Sequence, residues 1–151
     1  MHCLACKILV IYSACTFAEL PAQSPSASAM SQERIHWAGY VLSEVRTLRE
    51  LPPGIQAVLG VGTSGLNGIA DRNGKYNPTD VVDSSLPMRR FLVAGVDANI
   101  TLVAIEHGGR GWRVEVTLFK NTTVERSWTL SNSPKALREL VNHLSLKPVR
   151  P

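Results

Sequence analysis

Side chains able to do chemistry are densest between Gly62 and Arg113. Asp71, Asp80 and His107 could move protons, Asn73 and Tyr76 could donate and accept hydrogen bonds, and Arg110 and Arg113 could grip an anionic group in a planar fork. Glu106 adjoins His107, but neighbours in a strand point to opposite faces and cannot easily share one proton transfer. Neither G-x-S-x-G nor S-x-x-K spacing occurs, so no nucleophile stands beside an activating base. His36, His107 and His143 lie far apart, without the i, i+4 spacing that lets a helix hold zinc, and no cofactor or metal is expected.

Gly60-Val61-Gly62-Thr63-Ser64-Gly65 has the letters of a dinucleotide fingerprint, which works only where its last glycine opens a helix. Gly68 and Asn73-Gly74 follow too soon for that helix. A phosphate loop from Gly68 to Gly74-Lys75 has five intervening residues where four are needed, and Tyr76 replaces the magnesium-binding hydroxyl. Asp71, Asn73 and Asp80 suggest a calcium loop, but the turn glycine comes early and the closing glutamate is missing. The candidate binding residues are therefore Gly62, Asp71, Asn73, Tyr76, Arg110 and Arg113, without an assigned catalytic or metal role.

These residues need a scaffold. The 151-residue length suits one core, and 44% hydrophobic with 19% charged residues is ordinary globular usage. From Ser31, apolar residues at Ile35, Ala38, Val41, Leu42, Val45 and Leu48 predict an amphipathic helix ending before Pro52-Pro53-Gly54. Ile55 to Val61 reads as a strand, and 62–87 as a long irregular connection, where a site would lie. Runs at 91–96, 99–107, 112–120 and 124–130 alternate as strands. Trp112, Val114, Val116 and Leu118 would form a dry face, with Arg113, Glu115 and Thr117 on a wet one, and Arg126 breaks the parity of its strand. Ser133-Pro134 starts a last helix with Leu137, Leu140, Val141 and Leu144 as its stripe. The expected fold is α+β, an antiparallel meander of four to five strands with an N-terminal and a C-terminal helix on one face.

The first 18 residues combine Lys7 with an apolar run from Ile8 to Ala18, the shape of a signal segment. That run is too short for a membrane helix of about 20 residues. Residues 19–31 read as a flexible linker, 32–146 as one domain and 147–151 as a tail. Cys3, Cys6 and Cys15 all fall in the leader, which leaves the domain without disulfides. Tyr12-Ser13-Ala14-Cys15 resembles a bacterial lipobox, which implies a lipid at Cys15 and contact with a membrane by that route alone. The expected location is periplasmic or extracellular, or the cytoplasm if translation starts at Met30.

Gln56-Ala57-Val58-Leu59-Gly60 fits Q-x-V-x-G and so resembles the hairpin loop of cystatins, which implies a protease inhibitor with this segment at an exposed hairpin tip. The net charge of +4 is spread among acidic residues and selects no partner, although Arg89, Arg90, Arg110, Arg113 and Arg126 could form a weak nucleic-acid surface. The reading with most support is an exported, non-catalytic module that binds another protein as an inhibitor, immunity-type or envelope-associated factor. An enzyme with its site in the 62–87 loop, a cystatin-like inhibitor and a weak nucleic-acid binder are the alternatives.

Overall fold

The computed structural model describes residues 33–145; the expected signal segment, linker, helix cap at Ser31 and tail, with Cys15 and Met30, lie outside them. Seven strands form one mostly antiparallel sheet, accompanied by two helices. β1 (Arg34–Trp37) and β2 (Tyr40–Val45) make a hairpin, α1 (Pro53–Leu59) follows, and β3 (Ile69–Ala70) precedes the meander. The meander is β4 (Arg89–Val96), β5 (Ile100–His107), β6 (Arg113–Lys120) and β7 (Thr123–Leu130), and α2 (Leu137–Ser145) is the last described element. The strand order is β1-β2-β4-β5-β6-β7, with β3 parallel to the start of β4.

The expected meander and C-terminal helix are present, but the helix begins at Leu137 rather than at Ser133-Pro134, and the Ser133 hydroxyl donates to Glu106 instead of capping the helix. The N-terminal helix is not: the segment is the β1–β2 hairpin, turned by Ala38 (φ 49°) and Gly39 (φ 87°). Two consecutive positive-φ residues are what a two-residue hairpin requires, and no helix accommodates them. The segment expected as a strand at 55–61 is instead helix α1. Pro53 opens it, Gly60 in the left-handed region ends it, and Ile55 and Leu59, four residues apart, are its buried side. The Q-x-V-x-G segment is therefore helical rather than a hairpin tip, and Gln56 donates its side-chain amide to the carbonyls of Arg49 and Leu51.

The helices also do not share a face. α2 packs Leu137, Leu140, Val141 and Leu144 against Ile35, Leu42, Val93, Leu102, Val114 and Val116. The segment with α1 covers the other side through Val45, Leu48, Leu51, Ile55 and Leu59, against Phe91, Val103, Ile105 and Phe119. Both faces of the central strands are dry, and the expected wet face survives only toward β7, whose residues are mostly exposed. Each fully buried aliphatic side chain contributes roughly 1.5–3 kcal/mol, so the four of the α2 stripe are a substantial source of stability on this face.

Trp37 of β1 and Trp128 of β7 meet edge to face with ring centroids 6.2 Å apart, although β2, β4, β5 and β6 stand between their strands. A flat sheet would hold those strands about 24 Å apart. The sheet therefore curls, and α2 lies in its concave side. Gly95 and Glu44, paired across β4 and β2, seat the start of that helix. A Cβ on Gly95 would come within 2.7 Å of Leu137, and the buried Glu44 carboxylate accepts the Leu137 N–H at 2.9 Å. A carboxylate suits this place because the first amides of a helix have no partner of their own.

Candidate functional site

The strand directions give the sheet two ends. The connections 46–88, 108–112 and 131–136 gather at one, and the tight turns at 38–39, 97–99 and 121–122 at the other. All six sequence-derived binding residues lie at the loop end.

The centre of that end is Glu106, 4% exposed on the concave side of β5. One of its carboxylate oxygens receives Nε and Nη2 of Arg90 at 3.0 and 2.6 Å. The other receives Nε1 of Trp112 at 3.0 Å and Oγ of Ser133 at 3.1 Å. Tyr76 adds its hydroxyl to the carboxylate, and the Arg90 guanidinium lies 4.3 Å from the Tyr76 ring centre. Burial pushes the Glu106 carboxyl up, but the hydrogen bonds from Arg90, Trp112 and Tyr76 outweigh it, so the group stays below the usual carboxylate range. The Tyr76 hydroxyl is raised, first by burial and then by that carboxylate. A carboxylate with its acceptor sites filled and its proton affinity lowered is a poor general base. It ties together β4, β5, the β5–β6 loop, the 62–87 connection and the approach to α2. Trp112, expected in the core on a dry strand face, instead precedes β6 and is 41% exposed, with only its N–H directed inward.

His107 faces away from Glu106, with Nε2 3.2 Å from Glu115. Its pKa is lowered, first by burial and then by the Arg113 charge, against the pull of Glu115. Asp71 accepts the backbone N–H groups of Leu48 and Arg72, and Asn73 is exposed in the turn closed by the Gly74 N–H on the Asp71 carbonyl. Gly62 sits in an open turn at φ 91°. Arg110 reaches Asp80 at 3.8 Å, both exposed, and Arg113 bends back to the Gly111 carbonyl. Of the six, only Tyr76 joins a cluster. Arg89 contacts the carbonyls of Leu59, Asn67 and Gly68, so the five arginines do not gather on one face.

Asn77, which the sequence did not single out, organises the long connection. Its side chain is buried and binds the carbonyls of Asp83 and Leu86 at 2.9 Å while accepting the Asp83 N–H at 2.8 Å. Its own carbonyl packs on Gly108, where a Cβ would be 1.7 Å away. The irregular segment is thus fastened to the sheet.

The turn end differs. Between the β1–β2 turn, β7 and the end of α2 lies a groove of about 340 Å³. Trp37, Tyr40, Leu118, Trp128 and Leu144 make its apolar wall, and Glu125 and Arg126 its rim. Arg126 shares the face of Trp128 by regular alternation, the bulge beside Glu125 shifts the β6–β7 register between Val124 and Arg126, and the Arg126 guanidinium lies 5.8 Å from the Trp128 ring centre. Among the described residues Arg126 has no ion-pair partner. Sequence alone assigned Trp128 no role beyond its strand and Trp37 to a helix; only the curl of the sheet brings them together. Other hollows, beside Trp112 and His143 and beside Arg34 and Arg138, are more polar, and in the first His143 is already bonded to Asn132 at 2.6 Å.

No group of three or more His, Cys, Asp or Glu able to hold a metal occurs among the described residues, and no described helix is long and apolar enough to cross a membrane. No family model, curated protein or solved structure matches the chain. The chain has an α+β fold with a curled antiparallel sheet, a closed polar end and an open aromatic end.

Proposed function

We propose that the chain is an exported, non-catalytic module that binds another protein through the groove at the turn end of the sheet. The supporting observation is the convergence of Trp37, Tyr40 and Trp128 from opposite edges of the sheet into one partly exposed apolar hollow with a stacked arginine on its rim. Tryptophan, tyrosine and arginine are enriched among the few residues that carry most of the binding energy of protein interfaces. Export rests on the leader at 1–18, and a lipid anchor on Cys15.

The enzymatic alternative has less support, because Asp71, Asp80 and His107 are each engaged with separate neighbours. Affinity capture with the wild-type domain and the Trp128→Ala variant side by side tests the proposal. A partner recovered by the first and lost by the second supports it; equal recovery by both removes the groove from the function. Mass spectrometry of the mature N-terminus tests export and lipidation.

A further inference from the structure

We propose that residues 78–85 form a protease-binding loop, which enters the cleft of an endopeptidase with a small aliphatic primary pocket, places Val81 in that pocket and stays there as an inhibitor. This surface belongs to the 62–87 connection and lies apart from the groove. All eight residues of 78–85 are exposed, between the buried Asn77 and the half-buried Leu86. Val81 is 82% exposed, the highest value for a large hydrophobic residue among the described residues, and Val82 beside it is exposed as well. Neither valine packs in either core, so the fold does not need them.

The loop is displayed without being loose at its base. The Asn77 side chain donates to the carbonyls of Asp83 and Leu86 and accepts the Asp83 N–H, while its backbone N–H bonds the Pro87 carbonyl at 2.9 Å. The neck is closed by these bonds, and Gly108 seats it on the β5–β6 turn. Within the loop, Thr79 Oγ1 accepts the Val81 N–H at 3.3 Å, and the Asp83 carboxylate accepts both the N–H and the hydroxyl of Ser85. The carbonyl of Val81 and both main-chain groups of Val82 have no hydrogen-bond partner among the described residues, so a cleft that pairs with extended backbone can reach them. A loop held in one shape loses little entropy on binding.

These features choose the partner. An exposed tip of small and polar residues is the kind of segment that proteases cut first. Here a cut after Val81, which adds one water across the Val81–Val82 amide, releases nothing. Residues 78–81 stay tied through the main chain of Asn77, and residues 82–83 through the bonds between Asp83 and the Asn77 side chain. Ends held this way cannot leave the cleft one at a time, so the loop dwells there instead of passing through as a substrate. Valine sets the pocket: a small apolar one such as that of elastase, rather than the acidic one of trypsin or the larger slot of chymotrypsin.

The test follows hydrolysis of small chromogenic substrates by elastase, chymotrypsin and trypsin with the purified full chain added. Elastase should be inhibited and trypsin should not. Val81→Asp should weaken inhibition about thirtyfold or more, because it brings a carboxylate to an apolar pocket. Val81→Lys should transfer inhibition to trypsin. Both changes are at an exposed position, and their melting temperatures should match wild type. Asn77→Ala should convert the loop to a substrate, with cleavage within 78–85 in mass spectra and recovery of elastase activity; where that variant fails to fold, the Val81 pair decides alone. Trp128→Ala should inhibit as wild type does. Uninhibited elastase, rapid cleavage of the wild-type loop, or equal inhibition by wild type and Val81→Asp would each overturn the inference. Inhibition lost in Trp128→Ala and kept in Val81→Asp would overturn it too and assign the activity to the groove.

Discussion

The two ends of the sheet handle their polar and aromatic groups in opposite ways. At the loop end, Arg90, Trp112, Ser133 and Tyr76 converge on Glu106, and the outcome is a buried carboxylate with no acceptor site left over. At the turn end, Trp37, Tyr40, Trp128 and Arg126 converge on a hollow. Titratable residues and an irregular loop draw attention to the first, yet there the chemistry is consumed in holding the chain together. A hollow open to a partner is found where large side chains meet without filling the space between them.

The sharpest way to break this contrast is Glu106→Ala. It leaves the Arg90 guanidinium without its carboxylate, and such losses cost about 3–5 kcal/mol. Denaturant unfolding should register that drop while the groove of the folded fraction is unchanged; a loss under about 1 kcal/mol would show that the closed end is not a fastening. Gly108→Ala comes next, because the added methyl meets the Asn77 carbonyl and forces the connection away at roughly 1–3 kcal/mol, visible as a lower melting temperature and faster proteolysis within 77–88. Trp128→Ala should cost less than the ~3–5 kcal/mol of a fully buried aromatic, since the ring is partly exposed, while removing partner binding. Unfolding and binding measured on the same preparation separate the two effects.

Acid sharpens the comparison more gently. Because the folded-state pKa of Glu106 is lowered from the ordinary 4.5, the unfolded chain takes up the proton first. The stabilisation from this carboxylate is complete above that value and is lost as pH falls through the folded-state value. Stability of Glu106→Gln should accordingly fall less steeply than wild type below 4.5. Asp80→Asn marks the lower limit: its pair with Arg110 is long and exposed, and the change should stay within about 0.5 kcal/mol.

The meander was legible because runs of strand length between turn residues fill 91–130 and β6 alternates with period two, and the last helix because Leu137, Leu140, Val141 and Leu144 make a clean stripe, although its start lies beyond Ser133-Pro134. The first hairpin was hidden by a coincidence of periods. Ile35, Ala38, Val41, Leu42 and Val45 fit a helical stripe, while Ile35 and Trp37 with Tyr40 and Leu42 fit two strands, and the deciding signal was Gly39 between them. α1 is too short for its period to show, and Pro52-Pro53-Gly54 marked its start as well as the end of what came before. The groove could not be read from sequence because its wall comes from positions 37, 40, 118, 128 and 144, which only the curl of the sheet unites. The Glu106 cluster has the same character, drawing on residues 76, 90, 112 and 133.

The bond from Leu137 to Glu44 spans 93 positions of the chain and joins the β1–β2 hairpin to α2. While the polypeptide emerges from the ribosome, the hollow of the sheet waits without its plug until α2 has been made. Contacts this distant form late and slowly. A chain ending short of Leu137 would thus present Leu42, Leu102, Val114 and Val116 to water, and its fate would be aggregation or degradation rather than a smaller working protein.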